Sequence, residues 1–271
     1  MKNREILKNY LNALKIDHEI KTLEDIEKLI RAHLRTLSFS NSRILLKEEM
    51  SLDLNSIYEN IVIKKRGGYC FEHNKLMYEV LKGLGFNVTH YLARVLNNRD
   101  AIPPKTHRFT LLDFDKKRYL VDVGVGHRSP SVPVLFGDKP SMTHLGAEYK
   151  IVELEDKTFA MQLTEENGPF MIIKFDLNRC YESDFEMGHF YAHKNPNAVF
   201  VNNFVSSIIQ DSAIYSLVNN RYFIFYKSSK EEIEIQSSKQ LEQIMKNDLN
   251  LGFTFEEISF LYENYINKKL N

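Results

Sequence analysis

Cys70, His107 and Asp122 appear in an order and setting that would support nucleophilic thiol chemistry. Cys70 follows the Gly67–Gly68 pair in KKRGGYCFEHNKLMYEVLKGLGF, residues 64–86. Beyond it Leu76, Met77, Val80, Leu81 and Leu84 recur at helical spacing, so the cysteine opens an amphipathic helix that should stop at Gly83 and Gly85. A thiol reacts as its thiolate, and the positive end of a helix favours that anion. Gly67 and Gly68 allow a sharp backbone approach and leave room beside the sulfur. An imidazole would act as base, and His107 begins the strand-like run KTHRFTLLDF just after Pro103 and Pro104. Asp122 sits among Leu120, Val121, Val123 and Val125, company in which a carboxylate is costly unless paired. If 107 and 122 lie on two arms of one hairpin, nucleophile, base and orienting carboxylate can meet. Plainer roles fit the same residues. Cys70 suits a packing position, nine histidines make one on a strand unsurprising, and Arg94 is a second partner for Asp122.

The elements that must position these groups fall into three stretches. Residues 1–86 read as helical: Ile6, Leu7, Tyr10, Leu11 and Leu14 form one apolar stripe, and Thr22 caps a second helix. From residue 87 the pattern becomes short runs rich in Val, Ile, Phe, Tyr and Thr, as in an antiparallel sheet or small barrel. A hairpin is expected around Asp115 to Arg118, followed by a long irregular segment from Gly124 to Gly146. The tail is mixed, with a hairpin at Asn219–Asn220 and two helices capped by Ser237 and Thr254. The expected fold is α+β, with modules at 1–86, 87–200 and 201–271 that pack together because no low-complexity linker separates them.

Lys plus Arg and Asp plus Glu each total 36, and this zero net charge argues against a nucleic-acid or membrane-surface partner. The two cysteines, Cys70 and Cys180, are too few for a disulfide framework or structural zinc, so no metal is expected. The amino terminus lacks the apolar core of a signal peptide, and no window approaches the ~18 apolar residues of a membrane span. A cytoplasmic protein is expected, with Cys180 as a buried free thiol. Nothing here decides the oligomeric state.

RGGYCFEHN resembles R-G-G-x-C-x-E-x-N, the active-site signature of the arylamine N-acetyltransferases, at every fixed position. HLRTLSFSNSRILL resembles the family's H-x-x-x-I-P-F-E-N-L segment, THRFTLL its histidine strand, and VDVGVG its D-V-G-F-G loop. HKNPNAVFVNNF resembles the S-x-H-P-x-S-x-F stretch before the last module. The resemblance implies a helical bundle carrying Cys70, a central antiparallel β-barrel carrying His107 and Asp122, and an α/β lid, a catalytic core shared with transglutaminases and cysteine proteases. It implies acetyl-CoA as acyl donor, an aromatic amine or hydrazine as acceptor, and ping-pong transfer through acetyl-Cys70 in xenobiotic metabolism. O-acetylation of N-hydroxyarylamines is an associated activity. Gly124, Val125, Gly126, His127 and Arg128 are implied to receive CoA, with glycine N–H groups at the pyrophosphate. Phe39, Tyr69 and Val125 are candidate pocket walls, and Arg66, Gly67, Gly68, Glu72 and Asn74 candidate supports for the Cys70 segment. Val125 stands where the family has Phe, which implies a roomier acceptor site, and Ser38 and Ser40 replace its Pro and Glu. The alternatives are an amide synthase of the same fold using a carrier-bound acyl chain, a thiol hydrolase, or a non-catalytic small-molecule-binding relative.

Overall fold

The computed structural model describes residues 2–267, so position 1 and positions 268–271 of the expected outer modules lie outside the described residues. Helix α1 (Lys2–Ala13) turns Ile6 and Tyr10 inward. Helix α2 (Leu23–Thr36) starts at Thr22, whose hydroxyl accepts from the Asp25 N–H while the Asp25 carboxylate accepts from the Thr22 N–H. Strand β1 (Phe39–Ser40) and helix α3 (Ser42–Leu45) lead to α4 (Leu54–Tyr58), which a π-helical turn over Glu59–Ile63 prolongs. Helix α5 (Cys70–Gly83) follows, and Gly85 takes the left-handed φ of +92° beyond its end. Leu76, Met77, Val80 and Leu81 of α5 pack with Tyr10, Ile26, Leu29 and Ile30 in one buried cluster. Each such side chain contributes about 1.5–3 kcal/mol on burial.

An eight-stranded antiparallel sheet comes next. Its strands are β2 (Asn87–Val95), β3 (Lys105–Phe114), β4 (Lys117–Val121), β5 (Val134–Leu135), β6 (Ser141–Met142), β7 (Glu148–Glu153), β8 (Phe159–Glu165) and β9 (Gly168–Phe175). They are ordered β5-β4-β3-β2-β9-β8-β7-β6, and β5 also touches β7, so the sheet curls nearly closed into a barrel. Strand alternation gives β3 and β4 two buried faces. Phe109, Leu111 and Leu120 fill the barrel with Ile151, Met161 and Ile173, while Leu112, Tyr119 and Val121 join the helical core. The β3–β4 turn is tighter than expected. Asp115 and Lys116 alone make it, at φ +48° and +60°, and Arg118 already lies in β4 with its guanidinium on Asp113.

Helices α6 (Glu182–Lys194) and α7 (Val199–Asn202) return the chain across the front of the molecule. Gly188 of α6 sits so near Phe71 and the Lys105 carbonyl that a Cβ there would lie 2.9 and 3.0 Å from them. Strands β10 (Val205–Ile209), β11 (Ile214–Val218), β12 (Arg221–Phe225) and β13 (Lys230–Glu234) form a second sheet in the order β1-β10-β11-β12-β13. Its β1 comes from the first stretch of chain, with Phe39 paired to Ser207 and Ser40 to Ser206. Helices α8 (Ser238–Gln243) and α9 (Phe255–Leu261) pack on this sheet through Leu241, Ile258 and Leu261 against Ile208, Leu217 and Tyr222. Thr254 and Glu257 complete a reciprocal cap, whereas Gln240 reaches the Gln236 N–H, one residue short of the Ser237 N-cap. Cys180 departs from expectation. It is only half-buried, because it lies in the open connection between β9 and α6 rather than inside an element. Among the described residues no helix is long and apolar enough to cross a membrane.

Candidate active site

Cys70 is the first residue of α5, preceded by extended Tyr69, whose N–H donates to Glu72 Oε2 at 3.3 Å. Cys70 is almost fully buried, its sulfur 3.5 Å from the Thr106 carbonyl oxygen and close enough to His107 to favour the ring's charged form. The β3–β4 register pairs Thr110 with Val121. One step further, Asp122 falls opposite Phe109, on the face that carries His107 at the diagonal position. His107 Nε2 lies 2.6 Å from Asp122 Oδ2, which leaves Nδ1 for the sulfur. Arg94 turns away instead and donates to the Pro103 carbonyl oxygen at 2.5 Å.

Burial opposes a charge on His107, but the Asp122 charge and hydrogen bond, joined by Cys70, outweigh it and push the ring up to about 10. At neutral pH it is an imidazolium, the partner a thiolate requires. Asp122 Oδ1 accepts from Asn74 Nδ2 at 2.8 Å and from the Gly124 N–H at 2.9 Å, so the buried carboxylate has three donors. Asn74 also donates to the Arg108 carbonyl oxygen at 2.5 Å and accepts from the Val123 N–H at 2.9 Å. It therefore links α5 to both strands that carry the base and its partner.

Glu72 is buried and accepts from Arg43 Nη1 at 2.7 Å; burial raises its carboxyl against the pull of Arg43. Sequence reasoning missed Arg43, although a buried glutamate calls for a cation and SRILL offered one within an apolar run. Arg66 lies away from the sulfur, bonded to Glu48 and Glu257 and with its guanidinium 4.4 Å from the Phe253 ring centroid. Gly67 takes φ +66°, and Gly68 accepts from the Ser40 N–H at 2.7 Å. Ser40 shares hydrogen bonds with Ser42 and Ser206, and Ser38 donates to the Leu249 carbonyl oxygen, so the two departures from the early motif knit the β1 segment to β10 and to the chain just before α9.

Cys70 and His107 line a cavity of about 620 Å³, together with Phe39 and all five residues 124–128. Tyr69 does not. It is fully buried, its hydroxyl bonded to His189 Nδ1 and its ring packed against Phe71 and Phe200, so it belongs to the core. The first glycine of the loop also differs from expectation. The Gly124 N–H is held by Asp122 and the Val125 N–H by Ser129 Oγ at 2.9 Å, so neither is offered to a pyrophosphate. Gly124 is a glycine for another reason, since a Cβ there would lie 2.6 Å from Asn74 Nδ2 and 2.8 Å from Cys70 Cα. His127 stacks on Phe225 and accepts from Arg128 at 3.0 Å; burial, then Arg128 and Lys230, push it down to about 3, so it is uncharged at neutral pH. Arg128 lies over Phe170 and is bonded to Glu165. The opposite wall is formed by Tyr191, Ala198, Phe200 and Val205; Ala198 and Phe200 fall in the HKNPNAVFVNNF stretch, but nothing local in the sequence told that this stretch faces Cys70. Among the described residues no cluster of three or more His, Cys, Asp or Glu could hold a metal ion.

The chain is similar to known proteins over most of its length. A family model described as N-acetyltransferase matches residues 22–258. The arylamine N-acetyltransferase of Escherichia coli (strain K12) is 30% identical over 250 residues, covering 88% of this chain and 89% of that protein. The Salmonella typhimurium protein named arylamine N-acetyltransferase / N-hydroxyarylamine O-acetyltransferase is 28% identical, covering 89% of each. A solved structure of the arylamine N-acetyltransferase from Salmonella typhimurium matches with a TM-score of 0.89 at 26% identity, over 96% of this chain and 98% of that one. With the thiol and imidazole on the cavity wall, the carboxylate behind the imidazole and the match running from residue 22 to residue 258, this chain belongs to the arylamine N-acetyltransferase family.

Proposed function

We propose that the protein transfers acetyl from acetyl-CoA to arylamines and arylhydrazines by a two-step, ping-pong reaction through Cys70. The observation that carries this reading is the Cys70–His107–Asp122 line opening on one cavity of about 620 Å³, a size within the range of small-molecule sites. In the first step the Cys70 thiolate attacks the thioester carbonyl, the carbon–sulfur bond to CoA breaks, and the His107 imidazolium gives its proton to the departing CoA sulfur. Acetyl-Cys70 then faces a neutral imidazole. In the second step the amine nitrogen attacks the acetyl carbon, His107 takes the nitrogen's proton, and collapse returns the thiolate–imidazolium pair. Asp122 accepts from Nε2 throughout, which keeps Nδ1 toward the reacting atoms. The N–H groups at the start of α5 are the natural donors to the oxyanion; removal of one such donor elsewhere costs about 3 kcal/mol. A hydroxyl on an N-hydroxyarylamine can replace the amine in the second step, because it needs the same proton acceptor.

The CoA chain enters past residues 124–128, where Arg128 supplies charge and His127 an uncharged face. The test is the intact mass of the protein after mixing with acetyl-CoA and no amine, beside Cys70→Ala. One acetyl group, absent from the variant and discharged by an arylamine, is the expected result. An adduct that disappears equally fast in buffer would make the protein a hydrolase. No adduct on folded protein would turn the search to a carrier-bound acyl donor.

A further inference from the structure

A line of buried titratable groups crosses the helical bundle behind the cavity: Tyr10 on α1, His33 on α2 and His73 on α5, none more than 1% exposed. Tyr10 Oη lies 2.7 Å from His33 Nδ1, and His33 Nε2 lies 2.8 Å from His73 Nδ1. His73 Nε2 lies 3.1 Å from the Ser38 carbonyl oxygen. That last acceptor orders the rest. A carbonyl only accepts, so His73 carries its proton on Nε2 and leaves Nδ1 bare. His33 must then donate from Nε2, and its bare Nδ1 accepts the Tyr10 hydroxyl. With both rings neutral, every polar atom in the line is used. A proton added to His73 would turn the line round and leave the Tyr10 O–H without an acceptor, a penalty that burial makes severe.

The line ends beside the chemistry. His73 is one helical turn beyond Cys70, and its ring stacks on Phe39, the cavity-wall residue that follows Ser38 (centroids 6.4 Å apart, planes at 16°). The strap 38–40 is also pinned to Gly68 by the Ser40 N–H. On the acetyltransferase reading, we propose that His73 is a positioning residue: as a neutral donor to Ser38 it holds Phe39 in place and so sets the shape of the amine pocket.

The groups facing the two rings make the device acid-sensitive. From α1 comes Tyr10, from α2 and α5 each histidine faces the other, and the strap and the turn before α5 contribute Ser38, Phe39 and Gly68, none of which titrates. Glu72, the nearest carboxylate along α5, is taken up by Arg43. Burial pushes His73 down to about 4 against its bonds to Ser38 and Gly68, and burial with the neighbouring His73 holds His33 well below its ordinary 6.5. Both folded values lie below the unfolded one. The line's stabilisation is therefore complete above about pH 6.5 and is lost as the pH falls toward about 4.

Two measurements on the full chain test this. Long-range proton–nitrogen correlation on histidine-labelled protein, from about pH 8 to about pH 4.5, should find His33 and His73 as Nε2–H tautomers at neutral pH. A Nδ1–H tautomer at His73, or a charged ring at neutral pH, overturns the proposal. His73→Gln and His73→Leu are then compared for Cys70 acetylation by acetyl-CoA and for discharge to an arylamine. Glutamine keeps a donor for Ser38 and an acceptor for His33, so amine KM should stay within about twofold of the wild type. Leucine leaves two buried groups unpaired and should raise amine KM roughly fivefold or more, with Cys70 acetylation little changed. The wild type's rise in amine KM on acidification should be blunted in His73→Gln. A folded His73→Leu with unaltered amine KM, or a His73→Gln that behaves like it, overturns the positioning role. No Cys70 adduct in the wild type, with the tautomers as expected, would instead overturn the pocket role together with the acetyltransferase reading beneath it.

Discussion

Asp122 has no contact with the cavity, yet three donors converge on it, and the His107 charge depends on it. Its placement in an apolar run made it legible as a paired carboxylate, while its partner was open until the register excluded Arg94. Asp122→Asn keeps the shape but removes the charge and forces a rearrangement of the protons on His107. Acetylation of Cys70 should slow on the order of 10⁴-fold, as when a triad carboxylate is neutralised in a serine protease. Rapid-quench mass spectrometry measures this, and a loss under tenfold would refute the role. The same residue governs alkaline stability. His107 is raised from 6.5 to about 10, so its contribution is complete below about pH 6.5 and disappears as the pH climbs through about 10. Thermal melts of the wild type should fall across that window, and the fall should be smaller in Asp122→Asn.

At the scale of elements, catalysis depends on how closely the loop after β4 approaches the start of α5. That approach is possible because residue 124 has no side chain. Gly124→Ala would press a methyl onto the Cys70 backbone and should cost about 1–3 kcal/mol of stability, with loss of most activity. Gly137→Ala is the control, since its Cβ would meet nothing nearer than 3.7 Å. Urea midpoints of the two variants give the comparison; equal midpoints would mean that the loop can retreat without penalty. The glycines were visible in the sequence, but their reason was not. A glycine before a possible phosphate site and a glycine under a neighbouring backbone look identical until the neighbour is known.

Across the whole molecule, an alternating series of charges joins the first stretch of chain to the last. Glu72 bonds Arg43, Arg43 bonds Glu48, Glu48 bonds Arg66, and Arg66 bonds Glu257 at the start of α9. Arg66 is largely buried and lies over Phe253 as well, so its planar fork has no equivalent in lysine. Arg66→Met takes the arginine from Glu257 and leaves Glu48 with Arg43 alone, and should destabilise by about 1–3 kcal/mol, lowering the melting temperature by a few degrees. Calorimetry decides it, and an unchanged melt would mean that solvent screens these partly exposed carboxylates well enough to replace the arginine.

Sequence alone determined what acts over a few residues. The Thr22 and Thr254 caps, the end of α5 near Gly85, the two-residue turn at Asn219–Asn220 and the strand runs after residue 87 all depend on neighbours within one turn or one ladder step. The motif around Cys70, His107 and Asp122 was readable for the same reason, each residue standing in its own recognisable local setting. Only the tertiary structure decided which distant groups meet. It joined β1 to β10, gave Arg43 to Glu72, buried Tyr69 against His189 and lined up Tyr10, His33 and His73. No local preference encodes those pairs. They arise when separately formed elements bury their apolar faces together and every polar group caught between them must find a partner.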